Sequence, residues 1–246
     1  MDFDKIKAIR SKMKEKKPMP GCSVVIVAAG SSQRMGSDKL LADLCGKPVL
    51  ARSIQAFEDC ELVNEIVVVT RSDRVEEIAD LCSQYAFRKV SKVISGGATR
   101  TESALAGVSE VSPKSGLIAI HDGARPLVTV ELIRTVVIAA RDYLSAVPVI
   151  ASVDTLKTVD DKGLIVGTVD RSRTVRVQTP QVFSADHIKG ALTHAVSKNA
   201  ALTDDCSAME AMGIKTFTVE GDPDNIKITV PRDLILAEAI LRGREN

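Results

Sequence analysis

The sequence predicts an α/β protein: a mostly parallel sheet flanked by helices, interrupted late by a two-stranded ribbon. Three observations predict it. Apolar runs at residues 24–27, 65–70 (EIVVVT) and 117–120 read as strands buried on both faces, as parallel strands are. Segments with apolar residues at helical spacing separate them, which is the alternation of βαβ units. Between 151 and 173 the rhythm breaks, and alternating β-type residues flank Asp161-Lys162-Gly163, a hairpin signal.

The first strand ends in Ala28-Ala29-Gly30, where small side chains let another molecule approach the backbone. The Ser- and Gly-rich loop that follows carries Arg34 and Lys39. Two cations on such a loop at the carboxyl end of a strand suit a polyphosphate, whose oxygens the backbone N–H groups can surround. An ordinary βα turn with two solvated cations fits the same composition. The Walker spacing is absent: Gly30 and Gly36 are six apart, and Ser37 stands where Lys is required. The dinucleotide fingerprint is absent too, with Ser32 in place of its second Gly.

Further along, Pro48 is placed to start a helix over 49–57, and 75–85 is amphipathic with an acidic first turn. A short strand at 90–94 leads through Gly96-Gly97 into a helix near 101–108. A helix over 132–143 and a strand over 147–150 precede the ribbon. Beyond residue 175 the pattern predicts helices near 184–197 and 203–212, strands near 215–219 and 226–229, and a closing helix from 231 to 242.

Composition bounds the function. At 246 residues the chain can bury one sizeable core. A net charge of +1 offers no field for nucleic acid, and 3% aromatics without Trp offers no base-stacking platform. The five cysteines form no C-x-x-C pair, so reduced thiols in a cytoplasmic protein are expected rather than zinc or disulfides. No apolar run is long enough to cross a membrane. Residues 1–20 carry seven Lys/Arg against three acids, with Phe3, Ile6, Ile9 and Met13 at helical spacing. They read as a basic amphipathic extension before a single domain over 21–246, whose β-arm covers about 151–173.

Several other constellations bear on chemistry. His121-Asp122-Gly123-Ala124-Arg125-Pro126 follows an apolar strand, so Asp122 lies where ligands sit in open α/β sheets. A carboxylate there suits Mg²⁺, a hard cation that often bridges to substrate phosphates; a turn cap paired with Arg125 is the alternative. The turn at Gly96-Gly97, with Ser103, offers backbone groups and a hydroxyl to a base edge, or is a plain helix cap. Asp154, Thr155 and Lys157 are expected on one ribbon strand, and Asp170, Arg171 and Arg173 on the other. There they either bind a second, phosphorylated substrate or keep an edge from aggregating. Thr179 ends the next strand with a hydroxyl to offer. Thr203-Asp204-Asp205 reads as a helix start with acids in its first turn. Lys227 follows a turn and either faces the phosphates or sits on an exposed edge.

Taken together, AAGSSQRMGSDK, GGATRTES, HDGARP, DTLKTV, TVDRS, QTPQVF, TDDCSAMEAMG and EGDPDNIKIT occur in one order. The chain thereby resembles the 2-C-methyl-D-erythritol 4-phosphate cytidylyltransferases of the non-mevalonate isoprenoid pathway. The resemblance implies a Rossmann-like fold of the nucleotide-diphospho-sugar transferase type. It also implies transfer of CMP from CTP to methylerythritol phosphate with Mg²⁺ or another divalent cation. By match, Arg34, Lys39 and Lys227 correspond to phosphate-binding cations, and Asp122 to the metal-site acid. Ala28, Ala29, Gly30, Gly97 and Ser103 correspond to the nucleotide site, although Ala98 stands where relatives carry an acid. Arg125, Thr155, Arg171 and Thr179 fall on the methylerythritol phosphate side. The resemblance further implies a homodimer embraced by the β-arm, with Thr155 and Arg171 acting across it. Rival readings are a ribitol 5-phosphate cytidylyltransferase, a UTP- or GTP-using nucleotide-sugar synthase, and a non-catalytic nucleotide-binding regulator.

Overall fold

The computed structural model describes residues 20–30 and 38–245. The expected extension at the N-terminus and Arg34 lie outside the described residues. β1 (Cys22–Val27) leads to the small antiparallel pair β2 (Asp43–Leu44) and β3 (Lys47–Pro48), and α1 (Val49–Glu58) starts directly after Pro48. Then come β4 (Val63–Thr70), α2 (Val75–Gln84), β5 (Val90–Ser95), α3 (Arg100–Glu110), β6 (Leu117–Asp122), α4 (Val130–Tyr143) and β7 (Ser145–Ala151). The ribbon pairs β8 (Lys157–Val159) with β9 (Ile165–Thr168). β10 (Val175–Val177), β11 (Gln181–Ser184), α5 (Ala185–Ser197), α6 (Asp205–Ala211), β12 (Phe217–Glu220) and α7 (Pro231–Glu245) complete the order.

Among the described residues one eight-stranded sheet runs β10-β7-β11-β6-β1-β4-β5, with β12 paired to β7. The β6-β1-β4-β5 half is parallel throughout. β1 is buried on both faces because helices cover both. Val24 and Ile26 pack in one core with Ile54, Phe57, Ile133 and Val137, while Val25 packs in the other with Ala104, Val108, Ile188 and Met209. The alternation of side chains along a strand sends neighbours into different cores. Gly107 lets α3 lie close on the sheet: a Cβ there would run into the side chains of Val25 and Val69.

Three expectations are corrected. Residues 181–184 form β11, antiparallel between β6 and β7, where the pattern predicted a strand ending at about 178–181 and a helix from about 184. So short a strand, flanked by Pro180 and a helix, carries too little periodicity to read. Residues 226–229 are not a strand; Ile228 is buried and its N–H donates to the Ala124 carbonyl at 2.8 Å without a ladder. In the ribbon, the ladder begins at Lys157, leaving Asp154 and Thr155 before it, and Arg171–Arg173 is a 3₁₀ turn. Asp170 causes that turn, accepting from the Ser172 N–H at 2.9 Å in competition with strand pairing.

Candidate active site

The carboxyl ends of the parallel strands converge on one pocket. The Ala28 N–H donates to Val69 O at 2.7 Å, Gly96 N–H to Thr70 O at 2.7 Å and Gly123 N–H to Val27 O at 2.9 Å. These bonds tie the segments that leave β1, β5 and β6. The pocket holds about 370 Å³ and is lined by Ala28, Ala29, Gly30, Lys39, Gly97, Ala98, Thr99, Arg100, Ser103, Asp122, Ala124 and Lys227, among others. Its wall at α3 is fixed by a reciprocal cap. Thr99 Oγ1 accepts from Glu102 N–H at 3.1 Å, and the Glu102 carboxylate accepts from Thr99 N–H at 2.9 Å. Ser103 Oγ donates back to Thr99 O at 2.9 Å. A side chain on Gly96 would collide with Ser103 and press on Ala29, so glycine is what lets this turn reach the first loop.

Asp122 is the electrostatic centre. Lys227 Nζ lies 2.9 Å from its Oδ2, Arg125 Nε 3.5 Å from the same oxygen, and Arg100 Nη2 3.4 Å from Oδ1. Burial would raise the Asp122 carboxyl, but Lys227, Arg100 and Arg125 outweigh it and hold it well below the usual carboxylate range. Behind it, the Asp122 N–H donates to Thr179 Oγ1 at 3.1 Å. His121 Nε2 faces the Arg125 carbonyl at 3.2 Å, an acceptor only, so in the neutral ring Nε2 carries the proton and Nδ1 accepts from the Thr179 hydroxyl 3.0 Å away. Arg125 Nη1 donates to Asn225 O at 2.7 Å, which anchors the segment carrying Lys227.

His121 is fully buried, and burial pushes its pKa down to about 3. An unfolded imidazole titrates near ~6.5, so the unfolded chain takes up this proton first as pH falls. The stability held in neutral His121 is full above that value and drains as pH falls toward 3. The urea midpoint is expected to drop between about pH 6.5 and 4, the slope from this group approaching ~1.4 kcal/mol per pH unit. His121→Gln should flatten that stretch; an unchanged slope in the variant would assign the loss to other groups.

The pocket thus brings together Ala28, Ala29, Gly30, Lys39, Gly97, Ser103, Asp122 and Lys227. Arg125 and Thr179 stand behind Asp122, with Thr179 buried. Thr155 and Arg171 are apart on the arm, where Arg171 donates to Val153 O at 3.1 Å. Sequence reasoning missed Arg100 and Asp205. Arg100 directs Nη1 and Nη2 at Asp205 at 2.8 and 2.7 Å, and burial of its charge is outweighed by Asp205, then Asp122, which raise its pKa. The partners are 105 residues apart; Asp205 looked like a first-turn helix acid, and Arg100 fell in the turn before a helix.

Among the described residues no group of three or more potential ligands could cage a metal ion. A single buried carboxylate beside cations does fit Mg²⁺, which takes one or two carboxylates and completes its shell with phosphates and water. All five cysteines are free. No described helix is long and apolar enough to cross a membrane.

At the carboxyl edge of a mostly parallel sheet, this pocket suits a phosphate-bearing ligand, and comparison with known proteins makes the chain a nucleotidyltransferase. The family model for 2-C-methyl-D-erythritol 4-phosphate cytidylyltransferase matches residues 22–243, and the chain belongs to that family. It is 42% identical over 223 residues to the 2-C-methyl-D-erythritol 4-phosphate cytidylyltransferase of Caldanaerobacter subterraneus subsp. tengcongensis, covering 89% of this chain and 98% of the relative. It is 38% identical over 227 residues to that of Alkaliphilus oremlandii, covering 91% and 96%. Among solved structures, 4-diphosphocytidyl-2C-methyl-D-erythritol synthase from Anaerococcus prevotii superposes with a TM-score of 0.81 at 30% identity, over 92% of this chain and all of that one.

Proposed function

We propose that the chain transfers CMP from CTP to the phosphate of 2-C-methyl-D-erythritol 4-phosphate, giving 4-diphosphocytidyl-2-C-methyl-D-erythritol and pyrophosphate. The observation that carries this reading is Asp122 paired to Lys227 in a pocket that Lys39 and the Ala28–Ala29–Gly30 backbone also line, in a chain of this family. The acceptor phosphate is already ionised at neutral pH, so no residue need abstract a proton. The barrier is repulsion between anions and charge build-up at the α-phosphate. Fixed cations lower both by positioning and electrostatic stabilisation. Lys39 and Lys227, with Arg34 from the loop outside the described residues, take the phosphates. Ala28, Ala29, Gly30, Gly97 and Ser103 hold base and ribose. Asp122 would hold a divalent cation, which neutralises phosphate charge when bound.

Thr155 and Arg171 meet the acceptor from a second subunit. The arm supports a dimer: Val153, Val159, Leu164, Ile165 and Val166 are each more than half exposed on it, too much apolar surface for so thin a ribbon to leave in water. Arg125 and Thr179 serve the acceptor end by bracing Asp122. Free, mostly buried cysteines accord with a cytoplasmic setting.

The test is pyrophosphate release with CTP and Mg²⁺, methylerythritol phosphate and ribitol 5-phosphate being supplied separately. Release with methylerythritol phosphate alone is expected. Release with ribitol 5-phosphate alone would reassign the acceptor while keeping the CTP site. CTP binding without release from either would turn the protein into a nucleotide-binding regulator.

A further inference from the structure

One ion pair beside the pocket, its carboxylate buried and its guanidinium a third exposed, has no part in the reaction proposed above. Arg100 opens α3 and Asp205 opens α6. Both guanidinium Nη atoms meet both carboxylate oxygens, at 2.8 and 2.7 Å, in a planar fork. The Asp205 side chain is 1% exposed. Taking the Asp205 carboxylate out of water is costly, and well-packed apolar residues often serve stability as well as or better than such a pair. Stability alone therefore explains the pair poorly.

The fork does not end at Asp205. Nη2 of Arg100 also reaches Asp122 Oδ1 at 3.4 Å, and Arg100 lines the pocket. Lys227 and Arg125 stand at the other oxygen, Oδ2. The two oxygens of Asp122 thus face different cations, and the one facing Oδ1 is held by a buried anion on another helix. We propose that Arg100, locked by Asp205, is a positioning residue that fixes the orientation of the Asp122 carboxylate for a divalent cation bound with the nucleotide. This rests on the reading of Asp122 as the metal-site acid. Asp205 has a second effect: it balances the Arg100 charge, so the guanidinium orients Asp122 without competing at full strength against the incoming cation. A lysine could not do both, because its compact ammonium has no fork to span two carboxylates.

The test uses the full chain with Arg100→Lys and Asp205→Asn. Mn²⁺ is titrated by electron paramagnetic resonance in the presence of CTP and without acceptor. CTP affinity is measured without metal, and folding is checked by circular dichroism. Mn²⁺ affinity is expected to weaken by about 10- to 100-fold in both variants, with kcat falling on the same scale at saturating CTP. Metal-free CTP affinity should stay within ~3-fold, the mark of an effect on the reacting state rather than on uniform binding. Unchanged Mn²⁺ affinity with only a lower melting temperature would make the pair structural and overturn the proposal. A loss confined to metal-free CTP affinity would make Arg100 a nucleotide ligand and overturn it too. Should Asp205→Asn fail to fold, Arg100→Lys decides, since that side chain is already a third exposed. Wild-type protein that releases no pyrophosphate but shows the Mn²⁺ difference would sink the proposed reaction and leave this inference standing. Wild-type protein that binds no Mn²⁺ with CTP would sink the inference.

Discussion

Asp122→Asn is expected to lower pyrophosphate release by about 100- to 1,000-fold, the scale of removing one preorganised electrostatic contact from a reacting centre. The substitution keeps the shape and the backbone bond to Thr179 while deleting the charge. Two losses then add. The divalent cation loses its protein carboxylate. Lys227, Arg125 and Arg100 lose the anion they share, at 2.9, 3.5 and 3.4 Å, and their mutual repulsion is no longer offset. Lys227 is partly exposed and can swing away, whereas Arg125 and Arg100 are held by Asn225 and Asp205. The stability signature is separate from the catalytic one. The carboxyl is held far below its ordinary range, so its contribution to folding is present above about pH 4 and is lost as pH falls further. The variant should therefore melt lower than wild type at pH 7, and the gap should close in acid. Single-turnover rates at saturating CTP and Mg²⁺ read the first effect; thermal melts stepped from pH 7 down to about 2.5 read the second, the gap narrowing only below about pH 4. A rate within a few-fold of wild type would remove Asp122 from the reaction.

The legible part of this molecule was local. The apolar runs of β1, β4 and β6 announce burial on both faces, and the packing of Val24 and Val25 into opposite cores shows why no polar residue interrupts them. Gly96 and Gly97 announce a turn, and the collisions a Cβ would suffer against Ser103 at the first and Glu102 at the second show why. Asp122 and Lys227 were each visible as candidates because each follows a strand or turn signal. Their pairing rests on the chain folding back across a separation of 105 positions, which no spacing reports. The same holds for Arg100 and Asp205: a turn before a helix and a first helical turn gave each a sufficient local explanation. β11 was hidden differently. Its register against β6 and β7 is decided by those strands, and four residues carry no period of their own. Thr179 was read as a free hydroxyl and is instead committed on both sides, to the Asp122 N–H and to His121 Nδ1. Hydrogen-bond accounting of that kind needs three dimensions.

Lys39→Ala is expected to lower turnover by at least ~100-fold, the loss of one charge placed where negative charge develops. Lys39 lines the pocket together with Lys227. Lys227 lies 2.9 Å from Asp122 Oδ2. Lys39 follows β1 in the chain and reaches the same pocket as Ala28, Ala29 and Gly30. If Lys39 meets the pyrophosphate as it departs, its contribution grows as the bond to the α-phosphate lengthens. The variant should then lose kcat and keep its CTP affinity. A residue that only tethers CTP would lose affinity and keep kcat. Lys39→Arg tests the geometry: it keeps the charge but presents a planar fork on a longer stem, and should recover only part of the rate. The measurements are steady-state pyrophosphate release across CTP concentrations and direct CTP titration. A Lys39→Ala enzyme that turns over within a few-fold of wild type would place the reacting charge on Lys227 and the loop preceding Lys39 instead.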